Sequence, residues 1–405
     1  MESCAQPHLY LGVFSENGVG WGVSKHQLTD RSGIKGYHKG LLHRQTLATR
    51  RLEEKRLIFR LGTLQPQEMN FQMMVFLIHT MVHLIVFQTV ISVTSSAHVM
   101  GHSKVIRFLA VGDWGGLPYS PFTTPVEKRT AQQMGVVAEM MGADFVLSLG
   151  DNFYYDGVNS VTDKRFQETF EEIFSAKSLK DVPWFVVAGN HDHLGNVTAQ
   201  IEYSKVSKRW NFPHYYYDLN FTITDSNTTV TILMLDTVLL CGISDDFQGK
   251  GPEAPKDYTV ANTQLEWVKD KLKNSRSDFL IVAGHYPVWS IAEHGPTSCL
   301  VERLYPLLTQ YKISAYFCGH DHNLQFIQDN NGIGYVLSGA GNFMENSTRH
   351  KDFVPKEWLK FFYADISSLG GFVYVEITSD EMLITFIEAH GKSLYQTTIP
   401  RRSNR

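Results

Sequence analysis

The chain has 405 residues, 43% apolar and 19% charged, with a formal net charge of −4. It is long enough for one large domain with appendages and too apolar to be disordered throughout. Its charge offers no basic face, so nucleic acid is not expected as a required partner. Four cysteines, Cys4, Cys241, Cys299 and Cys318, are too few for a disulfide framework, and no CxxC spacing marks a structural zinc.

Residues 1–68 are basic and lack sustained apolar periodicity, so no packed fold is expected there. From Met73 to Val93 the chain is apolar except for His79, Thr80, His83, Gln88, Thr89 and Ser92, and the small residues Ser95-Ser96-Ala97 follow. This is the pattern of a signal-peptide core with cleavage after Ala97. A retained signal-anchor is the competing reading, since about 20 apolar residues span a bilayer. The small-residue site and the two interior histidines favour cleavage. A signal peptide begins a chain, which makes Met69 or Met73 the expected start. The expected organisation is therefore a disordered extension or gene-model artefact over 1–68, a signal peptide over 69–97 and a single catalytic domain over 98–405.

Secretion agrees with sequons at Asn196, Asn220, Asn227 and Asn346. In an oxidising compartment Cys241 and Cys299 are the natural pair, because Cys318 sits in an apolar strand pattern and Cys4 leaves with the leader.

After the leader, short apolar runs alternate with helical patterns, the signature of an α/β fold. Strands are predicted at 105–111, 144–149, 184–188, 230–235, 279–283, 314–318, 335–338, 371–377 and 382–389, the last two forming a hairpin around Ser379-Asp380-Glu381. Helices are predicted at about 125–141, 162–174 and 262–274, the third with Leu265, Val268 and Leu272 on one face and a Thr263/Glu266 capping box. The polar stretch 243–257, with two prolines and two glycines, is expected to be an exposed, protease-accessible loop.

Five apolar runs end in polar tips rich in metal-type ligands: GDWG from Gly112, GDNFY from Gly150, GNHD from Gly189, GHYP from Gly284 and GHDH from Gly319. Each opens with glycine, which permits a sharp exit from a strand and a close backbone approach. One Asp after a strand is ordinarily a turn or a helix cap. Five such tips at successive strand ends point instead to a metal-bearing cleft.

These motifs resemble those of the binuclear metallophosphoesterases, and their spellings are similar to the purple acid phosphatases of the tartrate-resistant type, over nearly all of residues 104–398. The resemblance implies a four-layer sandwich of two mixed sheets flanked by helices. It also implies an iron site held by Asp113, Asp151, Tyr154 and His322, and a second metal held by Asp151, Asn190, His285 and His320. Where the wider group reads Asp-x-His in the first motif, this chain has Gly115, and Tyr154 supplies the replacement ligand. Phenolate and two carboxylates suit Fe(III); the neutral second set suits Fe(II) or Zn(II).

The implied activity is acid hydrolysis of phosphate monoesters by a metal-activated hydroxide, with His191 and His294 aiding phosphate binding and leaving-group protonation. Small phosphate esters and phosphoproteins are the expected substrates of a secreted or lysosomal monomer. In this family a loop such as 243–257 is associated with restraint of activity until it is cut. Two other readings compete: a phosphodiesterase or nucleotidase on the same scaffold, and a non-catalytic secreted iron-binding protein. The presence of His191, His294 and Asp151 argues against the second.

Overall fold

The computed structural model describes residues 96–99, 104–246 and 250–403. The apolar segment 73–93, residues 1–68 and Cys4 lie outside the described residues. No helix among the described residues is long and apolar enough to cross a membrane.

Along the chain the elements run β1 (Ser96–Val99), β2 (Ile106–Val111), α1 (Pro125–Met141), β3 (Phe145–Ser148), β4 (Trp184–Val186), α2 (Asn190–Leu194), α3 (Val197–Tyr203), β5 (Trp210–Asn211), β6 (Tyr217–Ile223) and β7 (Thr228–Met234). They continue with α4 (Thr237–Cys241), α5 (Tyr258–Asn274), β8 (Phe279–Ala283), α6 (Ser298–Arg303), α7 (Tyr305–Gln310), β9 (Ala315–Cys318), β10 (Leu324–Gln328) and β11 (Gly334–Ser338). The last four strands are β12 (Leu359–Tyr363), β13 (Gly371–Ile377), β14 (Glu381–Glu388) and β15 (Ser393–Pro400).

These strands make two mixed sheets, ordered β1-β6-β7-β8-β9-β11-β10-β12 and β15-β14-β13-β2-β3-β4-β5. Within them β2-β3-β4 and β7-β8-β9 are parallel runs, so their carboxyl ends lie at the same edge of each sheet. β1 pairs with β6 in parallel, with Ala97 opposite Leu219, so the expected cleavage point falls within a strand.

Period-two side-chain alternation decides which core each residue joins. On β8, Phe279, Ile281 and Ala283 face the inter-sheet core, and Leu280 and Val282 face a second core with Val268, Leu272, Leu300 and Leu308 of the covering helices. The sheets meet through stacked aromatics: Phe145 lies 4.9 Å from Phe108 and 4.6 Å from Phe221, centroid to centroid. Cys241 and Cys299 are joined as a disulfide, tying α4 to α6, and Cys318 is a buried free thiol.

Three expectations need correction. The helix predicted from 262 begins at Tyr258, and its N-cap is Asp257, which accepts from the Thr259 and Val260 amides; the Thr263 hydroxyl instead donates back to Thr259 O at 2.7 Å. A hydroxyl bonded inside a helix cannot cap it. The helix predicted at 162–174 contracts to a short π-helix, Phe166–Glu171. Its apolar side chains follow an aromatic cluster with Trp114, Trp184 and Trp210. The described residues of the loop 243–257 are mostly exposed, as expected, yet Ser244 is buried and Asp246 turns inward.

Candidate metal centre

Each of the five motifs sits just past a strand of one of the parallel runs, and the two sheets bring them together. Gly112 N donates to Ser338 O at 2.7 Å, and His320 N donates to Asp113 Oδ2 at 2.9 Å, so the GDWG and GHDH turns are stitched across the sheets. Glycine is required where they touch: a Cβ on Gly189 would collide with the Asp151 carboxylate, and one on Gly319 with that of Asp113.

One group of donors is Asp113, Tyr154 and His322. The Tyr154 hydroxyl lies 3.2 Å from Asp113 Oδ1 and 3.0 Å from His322 Nε2. A second group is Asp151, Asn190, His285 and His320. Single donor atoms of Asp151, His285 and His320 all lie within 4.8 Å of one another. His285 Nδ1 donates to Leu149 O at 2.8 Å, which turns Nε2 toward Asn190 Oδ1 at 2.9 Å and Asp151 Oδ2 at 3.4 Å. A carbonyl can only accept, so this bond assigns the proton of that tautomer to Nδ1 and aims Nε2 inward, as a metal-binding imidazole requires.

Burial dominates the electrostatics. It raises the Asp113 carboxyl and the Tyr154 phenol well above their ordinary ranges, with neighbouring Asp151 adding to both. Burial also opposes ionisation of Asp151, but His285 and His191 hold it below the usual carboxylate range. Burial and the charge of His294 lower His320 well below normal and His322 to about 3, leaving two neutral imidazoles.

Both further histidines flank these donors. The His191 ring meets Tyr154 edge-on at 4.7 Å, and the His294 ring stacks on His320 at 4.2 Å. His191 Nδ1 donates to Tyr155 O at 2.7 Å. Burial works against its charge, but Asp151 and Asp246 raise its pKa to about 9. All nine candidate residues therefore converge on one cleft.

Several residues at the cleft were not singled out by sequence reasoning. Asp246, from the loop after α4, accepts from Asn190 Nδ2 at 2.6 Å and faces His191 Nε2 at 3.3 Å and His294 Nδ1 at 4.0 Å. Its Oδ1 is buried with no hydrogen-bond partner among the described residues. Arg165, almost wholly buried, donates to Tyr154 O at 2.7 Å and to Gly115 O, clamping the two turns of the Tyr154 group. Asp192 accepts from the amides of Gly189 and Asn152, and His193 Nε2 pairs with buried Asp236 at 2.7 Å. Asp192 was legible as the last residue of the GNHD motif; His193, Arg165 and Asp246 carried no local signal.

A family model described as calcineurin-like phosphoesterase matches residues 106–324. The tartrate-resistant acid phosphatase type 5 of Rattus norvegicus is 60% identical over 306 residues, covering 76% of this chain and 94% of its own. This chain belongs to the purple acid phosphatases of the tartrate-resistant type. A more distant member, purple acid phosphatase 7 of Arabidopsis thaliana, is 31% identical over 309 residues, 74% of this chain and 87% of its own. A purple acid phosphatase from yellow lupin (Lupinus luteus) seeds shares the fold, with a TM-score of 0.53 at 18% identity over 75% of this chain and 55% of the lupin chain. The protein is thus an acid phosphatase, a phosphate monoester hydrolase with a binuclear metal centre, and the other two readings are not favoured.

Proposed function

We propose that this acid phosphatase holds iron(III) through Asp113, Asp151, Tyr154 and His322, and iron(II) or zinc(II) through Asp151, Asn190, His285 and His320, with Asp151 shared. The observation that carries this reading is the Tyr154 hydroxyl, within 3.2 Å of Asp113 Oδ1 and 3.0 Å of His322 Nε2, beside a first motif in which Gly115, two residues after Asp113, has no side chain. Phenolate and carboxylates are hard anions suited to a trivalent ion, and the Asn190 amide and the His285 and His320 imidazoles, uncharged in the form that binds a metal, suit a divalent one. The donor set fits such a pair, because the buried anionic forms of Asp113 and Tyr154 cost free energy that positive charge among them offsets.

When bound, the two cations supply Lewis acidity, neutralising phosphate charge and making water a stronger acid. The protein's own part falls to its histidines. His191, with Nδ1 donating to Tyr155 O and its pKa raised to about 9, is charged at acidic pH and suited to hold a phosphate oxygen. His294, stacked on His320, is the second group able to bind phosphate or pass a proton to the leaving oxygen. The substrates are small phosphate monoesters and phosphoproteins, met as a monomer in an extracellular or lysosomal compartment. The Cys241–Cys299 disulfide and the exposed sequons at Asn196, Asn227 and Asn346 support that location. Asn220 is the least exposed of the four sequon asparagines, with its Nδ2 donating to Asp218 and its Oδ1 accepting from Thr231.

The test is a visible absorption spectrum of the purified, active protein. A Tyr154 phenolate on iron(III) gives a purple charge-transfer band that Tyr154→Phe abolishes. Active, metal-replete protein without such a band would sink the iron assignment.

A further inference from the structure

Asp321 stands between two metal-ligand candidates, His320 and His322, yet both of its oxygens are taken by a different loop. Oδ1 accepts the His294 amide at 2.8 Å, and Oδ2 accepts the Ser290 hydroxyl. Ser290 Oγ in turn accepts from the Ala292 amide at 3.1 Å and from Gln325 Nε2 at 2.8 Å. Gln325 Oε1 accepts from the Ile291 amide at 3.1 Å, and its Nε2 also donates to Asn323 Oδ1 at 2.7 Å. Ser290, Asp321, Asn323 and Gln325 are all fully buried.

The segment from Ser290 to His294 lies outside any helix or strand. Its backbone therefore has no ladder to hold it, and buried amides must find partners elsewhere. Here the amides of Ile291, Ala292 and His294 all end on side chains rooted in the segment 290–325. His350 holds the same segment from outside, its amide donating to Ile291 O at 3.0 Å and its Nδ1 to Ala292 O at 2.8 Å. Only the His294 ring is left to face the cleft, stacked on His320.

We propose that Asp321, with Ser290 and Gln325, forms a positioning network that holds His294 in register with the metal-ligand pair His320 and His322. Two ligands and the proton-bearing histidine are thereby set from one short stretch of chain, and the donor keeps its distance to the leaving oxygen without secondary structure. A general acid works only within hydrogen-bond reach, so loosening this loop damages proton donation before it damages phosphate binding. The inference rests on the reading that His294 helps protonate the leaving group.

The test exploits leaving-group basicity, because a poor leaving group depends on the donated proton and a good one hardly does. kcat/KM for propyl phosphate and for 4-nitrophenyl phosphate is measured on the metal-replete full chain for Ser290→Ala, Gln325→Leu, Asp321→Asn and His294→Ala, with metal content and circular dichroism recorded for each. The expected result is a loss of about tenfold or more on propyl phosphate and a much smaller loss on 4-nitrophenyl phosphate, for His294→Ala and for the network variants alike. Adding Ser290→Ala to His294→Ala should then cost nothing more on propyl phosphate. Should Asp321→Asn lose metal, Ser290→Ala and Gln325→Leu carry the test. If His294→Ala has the leaving-group signature and these two variants slow both substrates equally or neither, the network does not position His294. If His294→Ala itself has no such signature, the reading of His294 falls first and the inference with it.

Discussion

Asp113, Asp151 and His320 have φ of +58°, +51° and +73°, in the left-handed region that side chains other than glycine seldom adopt. Such strain costs on the order of 1 to 3 kcal/mol at each position and persists where the surroundings over-determine it, as they do at functional sites. All three are metal-ligand candidates, held there by the cross-sheet contacts. Nearby, His193 and Asp236 form a buried pair that ties α2, carrying Asn190 and His191, to the start of α4. Burial opposes the His193 charge, but Asp236 raises its pKa above the ordinary value. A raised folded-state pKa contributes stability that is fully present below the unfolded pKa, about 6.5, and is lost as pH rises through the folded value. Asp236→Asn, which keeps an N-cap oxygen for Leu239, is therefore expected to cost about 1 to 3 kcal/mol at pH 5 and distinctly less at pH 9. Urea unfolding at the two pH values measures this, and an equal cost at both would refute the charged pair.

At the scale of elements, short strands delivered the ligands and a loop supplied the surprise. The exposed character of 243–257 was legible from its glycines and prolines, whereas the inward turn of Asp246 was not, since an aspartate in a polar loop has no local mark of burial. Burial opposes its ionisation, but the histidines around it hold it below the carboxylate range. An anion already beside His191 and His294, the histidines proposed to bind phosphate, would compete with substrate phosphate for the same partners. A single clean cut between Ile243 and Asp257 should raise kcat/KM several-fold, and Asp246→Ala in the uncut chain should reproduce most of that gain. Assay of nicked and intact protein side by side decides it; equal activity would remove the restraint.

At the scale of the whole molecule, the candidate centre is a joint between two sheets: one supplies Asp113, Asp151, Tyr154 and Asn190, the other His285, His320 and His322. Ionised Asp113 and Tyr154 are costly to bury in such a joint without added positive charge, and ligand binding to the native state alone raises its stability. Removing the metals should lower Tm by several degrees, and readdition should restore it; a scanning-fluorimetry midpoint unmoved by removal would mean that the donors are balanced without metal. Nine predicted strands could be read from the sequence: seven pair in parallel and are buried, near-continuous apolar runs, and two, β13 and β14, are the buried strands of an antiparallel hairpin with a polar turn. β1, β5, β6, β10, β12 and β15 were missed, being short, polar on one face or at a sheet edge. The sequence by itself determined the chemistry on offer, because a ligand's identity and its place at the tip of a strand are local properties of the chain. That these donors lie side by side, that Asp246 turns in among them, and that Asp321 accepts from the His294 amide were decided only by tertiary structure. Those contacts join residues as many as 207 positions apart, and no local pattern encodes a distance across two packed sheets.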